Sequence, residues 1–276
     1  MAASIDDETS ARAALFEPIK AIAREVTLPA FRADIAVENK LAGEDGFDPV
    51  TAADMGCEEA IRALIETHFP QDGIFGEEFS NVRLDAPFIW VIDPIDGTRA
   101  FVSGVPLWGT LVGLTHTGLP VAGLGYQPFI GEAFSAVQHK GAHWRKGEAT
   151  KTLRTRPCHT MGGATLMTTT PALFNAQERT VYDMLEQQVR SVRYGTDWYS
   201  YALIAAGTVD IVVESGLSPY DILALIPIVE AAGGSIVDWR GKPITNITDS
   251  FSGQVIAVGD PSLLPSVTAI LAPAAC

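Results

Sequence analysis

The stretch Trp90-Val91-Ile92-Asp93-Pro94-Ile95-Asp96-Gly97-Thr98 governs how this chain is read. An apolar strand, Phe88–Ile92, ends by delivering carboxylates at Asp93 and Asp96, with a rigid proline between them and a glycine and a hydroxyl directly after. Carboxylates at that spacing can converge on a hard cation, and the Ile95 carbonyl offers another oxygen. The backbone N–H groups of Gly97 and Thr98 then fall at an expected helix start, where an anion is favoured. Metal on one side and phosphate on the other points to a phosphate-ester hydrolase. Asp, Pro and Gly are also turn formers, so an ordinary strand-to-turn junction would carry the same residues.

Three further acidic sites shift that balance. Asp48-Pro49-Val50-Thr51-Ala52-Ala53-Asp54 places Asp48 just before a helix and Asp54 in its first turns, a pattern that helix capping also explains. Glu77-Glu78 follows Phe75-Gly76, and Asp221 opens a helix after Pro219-Tyr220. A solvated turn would account for the first of these, and an N-cap for the second.

Size and charge bound the class. At 276 residues the chain can bury a substantial core, as one large domain or two intimate subdomains. A formal charge of -14 argues against nucleic-acid partners and acidic membrane surfaces. An acidic protein with an anionic substrate needs divalent cations to invert the local field. Cys57, Cys158 and Cys276 are scattered and odd in number, which disfavours a zinc ribbon or a disulfide framework and fits a reducing cytoplasm. No signal peptide and no membrane span are expected.

Periodicity predicts one long helix from Ser10 to Phe31 and another from about Thr51 to Phe69. Strands Phe88–Ile92, Gly109–Thr115, Ala122–Tyr126 and Glu132–Gln138 succeed each other across short turns, as antiparallel hairpins do. The basic, Gly- and Pro-broken stretch from His143 to Cys158 marks a boundary, giving subdomains 1–147 and 148–276. Beyond it strands and helices alternate, with helices at Pro171–Gln188, Tyr199–Ala206 and Ile222–Ala232 and a last one from Pro261. The expected fold class is α/β, in alternating layers of helix and sheet.

Gly76-Glu77-Glu78, then Asp93-Pro94-Ile95-Asp96-Gly97-Thr98, then Tyr220-Asp221-Ile222 before Glu230-Ala231-Ala232-Gly233-Gly234, resembles the inositol monophosphatase family. The resemblance runs from about Asp48 to Gly234 with the motifs in order, and implies an α-β-α-β-α sandwich. It implies two or three Mg²⁺ ions held by Glu77, Asp93, the Ile95 carbonyl, Asp96 and Asp221. It also implies that Asp48 and Thr98 activate water, with Glu77 among the catalytic groups, and that Gly97 and Thr98 contact phosphate. Lithium sensitivity and a homodimer come with the same resemblance. Chemistry supports the metal set separately, because Mg²⁺ takes oxygen ligands and a few carboxylates plus phosphate suffice. His68, His116, His139, His143 and His159 fall outside every motif.

Several phrases look most like the family's histidinol-phosphatase branch: Phe101-Val102-Ser103-Gly104, Tyr126-Gln127-Pro128, Arg193-Tyr194-Gly195 and Leu217-Ser218-Pro219-Tyr220-Asp221-Ile222. Inositol monophosphatases usually carry Trp where this chain has Tyr220. Arg99-Ala100 and Thr196 depart from the branch, which often has Lys-Ser and a second Gly there. Asp197, Glu214 and Thr196 are the expected substrate-side residues. Two carboxylates away from the metals suit an ammonium or imidazolium, though a polyol could also bond to them and Asp197 could simply cap a helix. The expected reaction is hydrolysis of L-histidinol phosphate, with inositol monophosphate as the alternative. A non-catalytic binding protein is disfavoured because unpaired buried acids are destabilising without a metal.

Overall fold

The structure, a computed structural model, describes residues 4–34, 36–40, 49–245 and 251–276. Its first helical stretch is two helices, α1 (Ile5–Ala13) and α2 (Phe16–Thr27), where periodicity predicts one. Pro18 is the reason. It has no N–H for the Ala14 carbonyl, and the chain tightens there, with Leu15 N donating to the Arg12 carbonyl at 2.9 Å. A two-stranded ribbon of β1 (Glu38–Asn39) and β2 (Pro49–Val50) leads to α3 (Ala52–His68), as expected. Thr51 and Asp54 cap α3 reciprocally: Ala53 N donates to the Thr51 hydroxyl, and Thr51 N donates to the Asp54 carboxylate.

A seven-stranded sheet follows, made of β3 (Gly73–Gly76), β4 (Phe88–Asp96), β5 (Gly109–His116), β6 (Leu119–Gln127), β7 (Glu132–Val137), β8 (Gly141–Lys146) and β9 (Ala149–Thr152). The short helix α4 (Thr98–Val102) interrupts it after β4. β3 and β4 run parallel and every later neighbour is antiparallel. The boundary expected at residue 148 falls inside the β8–β9 hairpin. The chain changes sheet only between Thr152 and Thr165.

The second sheet has the order β11-β10-β12-β14-β13. It is assembled from β10 (Thr165–Thr168), α5 (Ala176–Glu186), β11 (Ser191–Tyr194), α6 (Tyr199–Ala205), β12 (Ile211–Glu214), α7 (Pro219–Ile222), α8 (Leu225–Ala231), β13 (Ser235–Val237), β14 (Val255–Val258) and α9 (Leu264–Leu271). The helix expected over Ile222–Ala232 is thus α7 and α8. The break again lies four residues before a proline, since Pro227 cannot donate to Leu223. The helix expected over 171–188 starts late because Asn175 and Glu178 form a capping box.

Helices and sheets stack in five layers: α1–α3, the first sheet, α6 with α7 and α8, the second sheet, then α5 with α9. Alternation along each strand serves two cores at once. On β4, Phe88, Trp90 and Ile92 pack toward α2 and α3, while Val91 faces α6 and α8. On β12, Ile211 and Val213 pack on α5 and α9, and Val212 faces the central helices. Each fully buried side chain of this size contributes roughly 1.5–3 kcal/mol, so these cores rather than helix propensity hold the layers. The central layer sits unusually low on the first sheet. Gly113 and Gly123 are cross-strand partners, and a Cβ at Gly123 would lie 1.8 Å from the Ala224 carbonyl oxygen. Those two bare positions let the α7–α8 junction down onto β5 and β6, which carries Asp221 to the end of β4.

Candidate active site

The register between β4 and β5 slips at the Asp motif: Asp93 pairs with Leu111, but Asp96 pairs with Gly109. This bulge re-aims the strand end, as bulges beside functional sites do. Asp93, Asp96 and Asp221 each present a carboxylate oxygen within 4.8 Å of the others. Asp221 comes from the first turn of α7, where Ser218 N donates to its Oδ2 at 2.6 Å and fixes its orientation. Asp96 Oδ1 accepts a 3.0 Å bond from Trp198 N, which ties the motif to the start of α6.

Asp93 is buried, and its Oδ1 has no hydrogen-bond partner among the described residues. An orphaned carboxylate oxygen facing two more carboxylates fits a bound cation. Burial, then the charge of Glu77, raises the Asp93 pKa well above the carboxylate range, and burial, then Asp197, does so for Asp96. Burial pushes Asp221 up to about 7. The donor set is entirely hard oxygen, which suits Mg²⁺ and disfavours soft-ligand metals.

Glu77 follows β3 directly, pinned to β4 by its own N–H on the Ile92 carbonyl at 3.2 Å. It lines the same cavity as the three aspartates. Its Oε1 also accepts from Lys40 Nζ at 2.7 Å, and Glu78 Oε1 accepts from the same ammonium at 2.6 Å. Burial opposes the Lys40 charge, but the two glutamates outweigh it and raise its pKa. Lys40 is a site neighbour that sequence reasoning missed, since a lone lysine in a polar segment carries no signal.

Gly97 adopts φ +78°, a left-handed conformation that releases the chain from β4 into α4. The Thr98 hydroxyl donates to the Ile95 carbonyl at 3.0 Å. Gly97, Thr98 and Ile95 all line the cavity, whose volume is about 230 Å³. Asp48 lies outside the described residues. Asp54, from the same motif, is buried, caps α3 and is not among the cavity-lining residues.

Asp197 and Glu214 line the same cavity, and Asp197 stands close to the Asp motif: a Cβ at Gly97 would lie 3.3 Å from its Oδ2. Asp197 holds φ +42° between β11 and α6; burial raises its carboxyl, while a hydrogen bond with Thr169 and then the charge of Arg99 oppose the rise. Glu214 ends β12, with Oε1 accepting from Thr169 N at 2.6 Å and Oε2 from the Thr168 hydroxyl at 3.1 Å. Burial pushes it up to about 8. Thr196 is not brought to the cavity: its hydroxyl donates to Met167 Sδ at 3.8 Å. Thr169 and Tyr201 also line the cavity without having been singled out from the sequence, where Arg99 enters only as a departure from the branch.

These raised pKa values make a stability prediction. A carboxyl whose folded pKa is raised binds more protons folded than unfolded as pH rises above about 4. Its contribution is present at low pH and lost as pH climbs through the folded value, here to about 7 for Asp221 and about 8 for Glu214. The metal-free protein should therefore show a Tm that falls from pH 5 to pH 8. Saturating Mg²⁺ should flatten that slope, and an unchanged slope in scanning calorimetry would contradict the fit between the cluster and a cation.

Convergent carboxylates beside a helix start suit phosphate-ester chemistry assisted by a hard cation. The sequence profile described as the inositol monophosphatase family matches residues 8–271, and the chain belongs to that family. It is 38% identical over 261 residues to the "Bifunctional phosphatase IMPL2, chloroplastic" of Arabidopsis thaliana, covering 92% of this chain and 73% of that one. It is 37% identical over 194 residues to a histidinol-phosphatase of Chlorobaculum parvum, covering 70% and 74% respectively. A solved inositol monophosphatase from Zymomonas mobilis superposes with a TM-score of 0.83 at 36% identity, covering 98% of this chain and 100% of that one. The layered α/β fold expected from the sequence is the fold of that solved inositol monophosphatase.

Proposed function

We propose that this chain is a Mg²⁺-dependent histidinol-phosphatase, converting L-histidinol phosphate and water to L-histidinol and phosphate. The observation that carries the reading is a second pair of acids in the same cavity. Asp197 and Glu214 line the same cavity as Asp93, Asp96 and Asp221 but come from other strand ends. The leaving group of histidinol phosphate brings an ammonium and an imidazole, and charge-assisted bonds to carboxylates are the strong ones. Glu214 is held in a fixed orientation by Thr168 and Thr169, so it can discriminate by direction as well as by charge. The relatives named histidinol-phosphatase support the same substrate class.

In this reading Glu77, Asp93, the Ile95 carbonyl, Asp96 and Asp221 hold Mg²⁺. When bound, Mg²⁺ supplies polarisation of the ester and a lowered pKa for an attacking water. Thr98 and Asp48 orient that water, and the backbone of Gly97 and Thr98 receives the phosphoryl oxygens. Arg99, which lines the same cavity, adds positive charge near the phosphate. The family resemblance supports a homodimer, and the scattered, odd-numbered cysteines fit a reducing cytoplasm. Among the described residues no helix is long and apolar enough to cross a membrane.

A side-by-side kcat/KM panel tests the substrate: histidinol phosphate, inositol 1-phosphate, fructose 1,6-bisphosphate and phosphoadenosine phosphate, each with Mg²⁺. A preference for any of the last three overturns the assignment. Inositol 1-phosphate is the second reading, favoured by the likeness to the Zymomonas structure. Asp197→Asn should raise KM for histidinol phosphate roughly 10- to 100-fold, the equivalent of the ~1.5–3 kcal/mol in a hydrogen bond to a charged group. KM for a small uncharged ester should hardly move. A uniform effect on both substrates would implicate folding or metal placement instead.

A further inference from the structure

We propose that Glu58 and Arg62 of α3 are positioning residues that fix Glu77 for the metal, although neither lines the cavity. Glu58 is fully buried. Its Oε2 accepts from Glu78 N at 2.8 Å, and its Oε1 accepts from Phe79 N at 3.3 Å and from Arg62 Nε at 2.7 Å. Arg62, one helical turn on, donates to the Phe79 carbonyl at 3.1 Å and the Ser80 carbonyl at 3.2 Å. One i,i+4 pair thus grips the backbone of the three residues that follow Glu77.

The other side of Glu77 is held by its own N–H on Ile92, one residue before Asp93. Glu77 therefore stands between two anchors, one on α3 and one on β4. Another i,i+4 pair of the chain, Arg179–Asp183, is exposed. The Glu58–Arg62 pair instead directs its bonds at the segment carrying a metal ligand. Gly76 testifies to the same demand for room. A Cβ there would lie 2.0 Å from Glu58 Oε1 and 2.6 Å from Arg62 Nη2, so the glycine before Glu77 is needed to admit the clamp.

This inference rests on the reading of Glu77 as a metal ligand, and the experiment separates the two. Mg²⁺ alone is titrated calorimetrically into the metal-free full-length protein. Glu58→Gln puts an amide N–H₂ where only acceptors are tolerated, and is expected to raise the Mg²⁺ Kd roughly 10- to 100-fold, as changes behind metal ligands do. KM for substrate at saturating Mg²⁺ should stay at the wild-type value. Arg62→Lys keeps the charge but loses the fork and should shift Kd in the same direction by less. Gly76→Ala, which pushes the clamp side chains aside without mutating either, should also weaken Mg²⁺ binding. Ile19→Val, a core change on α2, should lower Tm and leave Kd alone, which sets aside general destabilisation. If Glu58→Gln does not fold, Arg62→Lys and Gly76→Ala decide. Wild-type Kd in the folded clamp variants overturns the inference. Glu77→Gln in parallel distinguishes the failures: if it too leaves Kd unchanged, the reading of Glu77 has failed. If it weakens binding while the clamp variants do not, the clamp alone has failed.

Discussion

Asp93→Asn is expected to lower kcat by more than about 100-fold, beyond the usual effect of changing a group behind a metal ligand. Glu77, Asp96 and Asp221 each raise the pKa of Asp93 after burial itself, so it sits amid the charge of the cluster. One of its oxygens has no partner among the described residues, so an amide there would present either a donor to the cation or a neutral oxygen. Fold and Tm of the metal-free variant should be retained or improved, because one repelling charge has gone from a buried cluster. The check is steady-state turnover across a Mg²⁺ series, beside a thermal melt. Near-wild-type turnover, or wild-type activity in excess chelator, would refute a mechanism centred on these carboxylates.

Thr98→Ala should reduce kcat roughly 10²- to 10⁴-fold, the usual range for losing a group that handles the proton of the attacking nucleophile. KM should change little, since the hydroxyl is assigned to the water and not to ground-state binding. Thr98→Ser should restore most of the rate. The 3.0 Å bond from the Thr98 hydroxyl to the Ile95 carbonyl supplies the competing account. If that bond mainly orients a carbonyl toward the metal, calorimetry of Thr98→Ala will show Mg²⁺ binding lost, and the proposed division of roles will be wrong.

Much of the architecture could be read in advance because its signals are local. The short apolar runs of β4 and β5, the turn before Leu119 and the capping residues before α3 all act within a few residues. The errors have physical causes of the same size. Pro18 and Pro227 each cut an amphipathic run four residues upstream, where the missing N–H is felt, and not at the proline itself. The basic stretch after His143 looked like a boundary, yet Trp144 packs on the central core and its Nε1 donates to Glu132, so it continues the sheet. At the site, Asp93, Asp96, Glu77 and Asp221 were visible as spaced acids. Their convergence on one site came from the family resemblance and not from their spacing, because it depends on Ala224 settling onto Gly113 and Gly123. Thr196 failed to reach the cavity for a related reason: which side of a loop a hydroxyl takes is decided by its packing partner, here Met167.

The slipped register at the end of β4 has a consequence in counting. Asp93 and Asp96 are an odd number of residues apart, and an unbroken strand sends odd neighbours to opposite faces. Asp93 shares its parity with Val91, on the side of the central helices, whereas Asp96 would share that of Trp90 and Ile92, inside the outer core. The one extra residue on β4 cancels the odd number and brings both carboxylates to one side. Side-chain changes at 94 and 95 leave that count intact; inserting or deleting a single residue between the aspartates reverses it. Such a change would turn one acid toward Trp90 while every catalytic residue was still present in the sequence. For this motif, chain length between the acids is as much a part of the chemistry as the acids are.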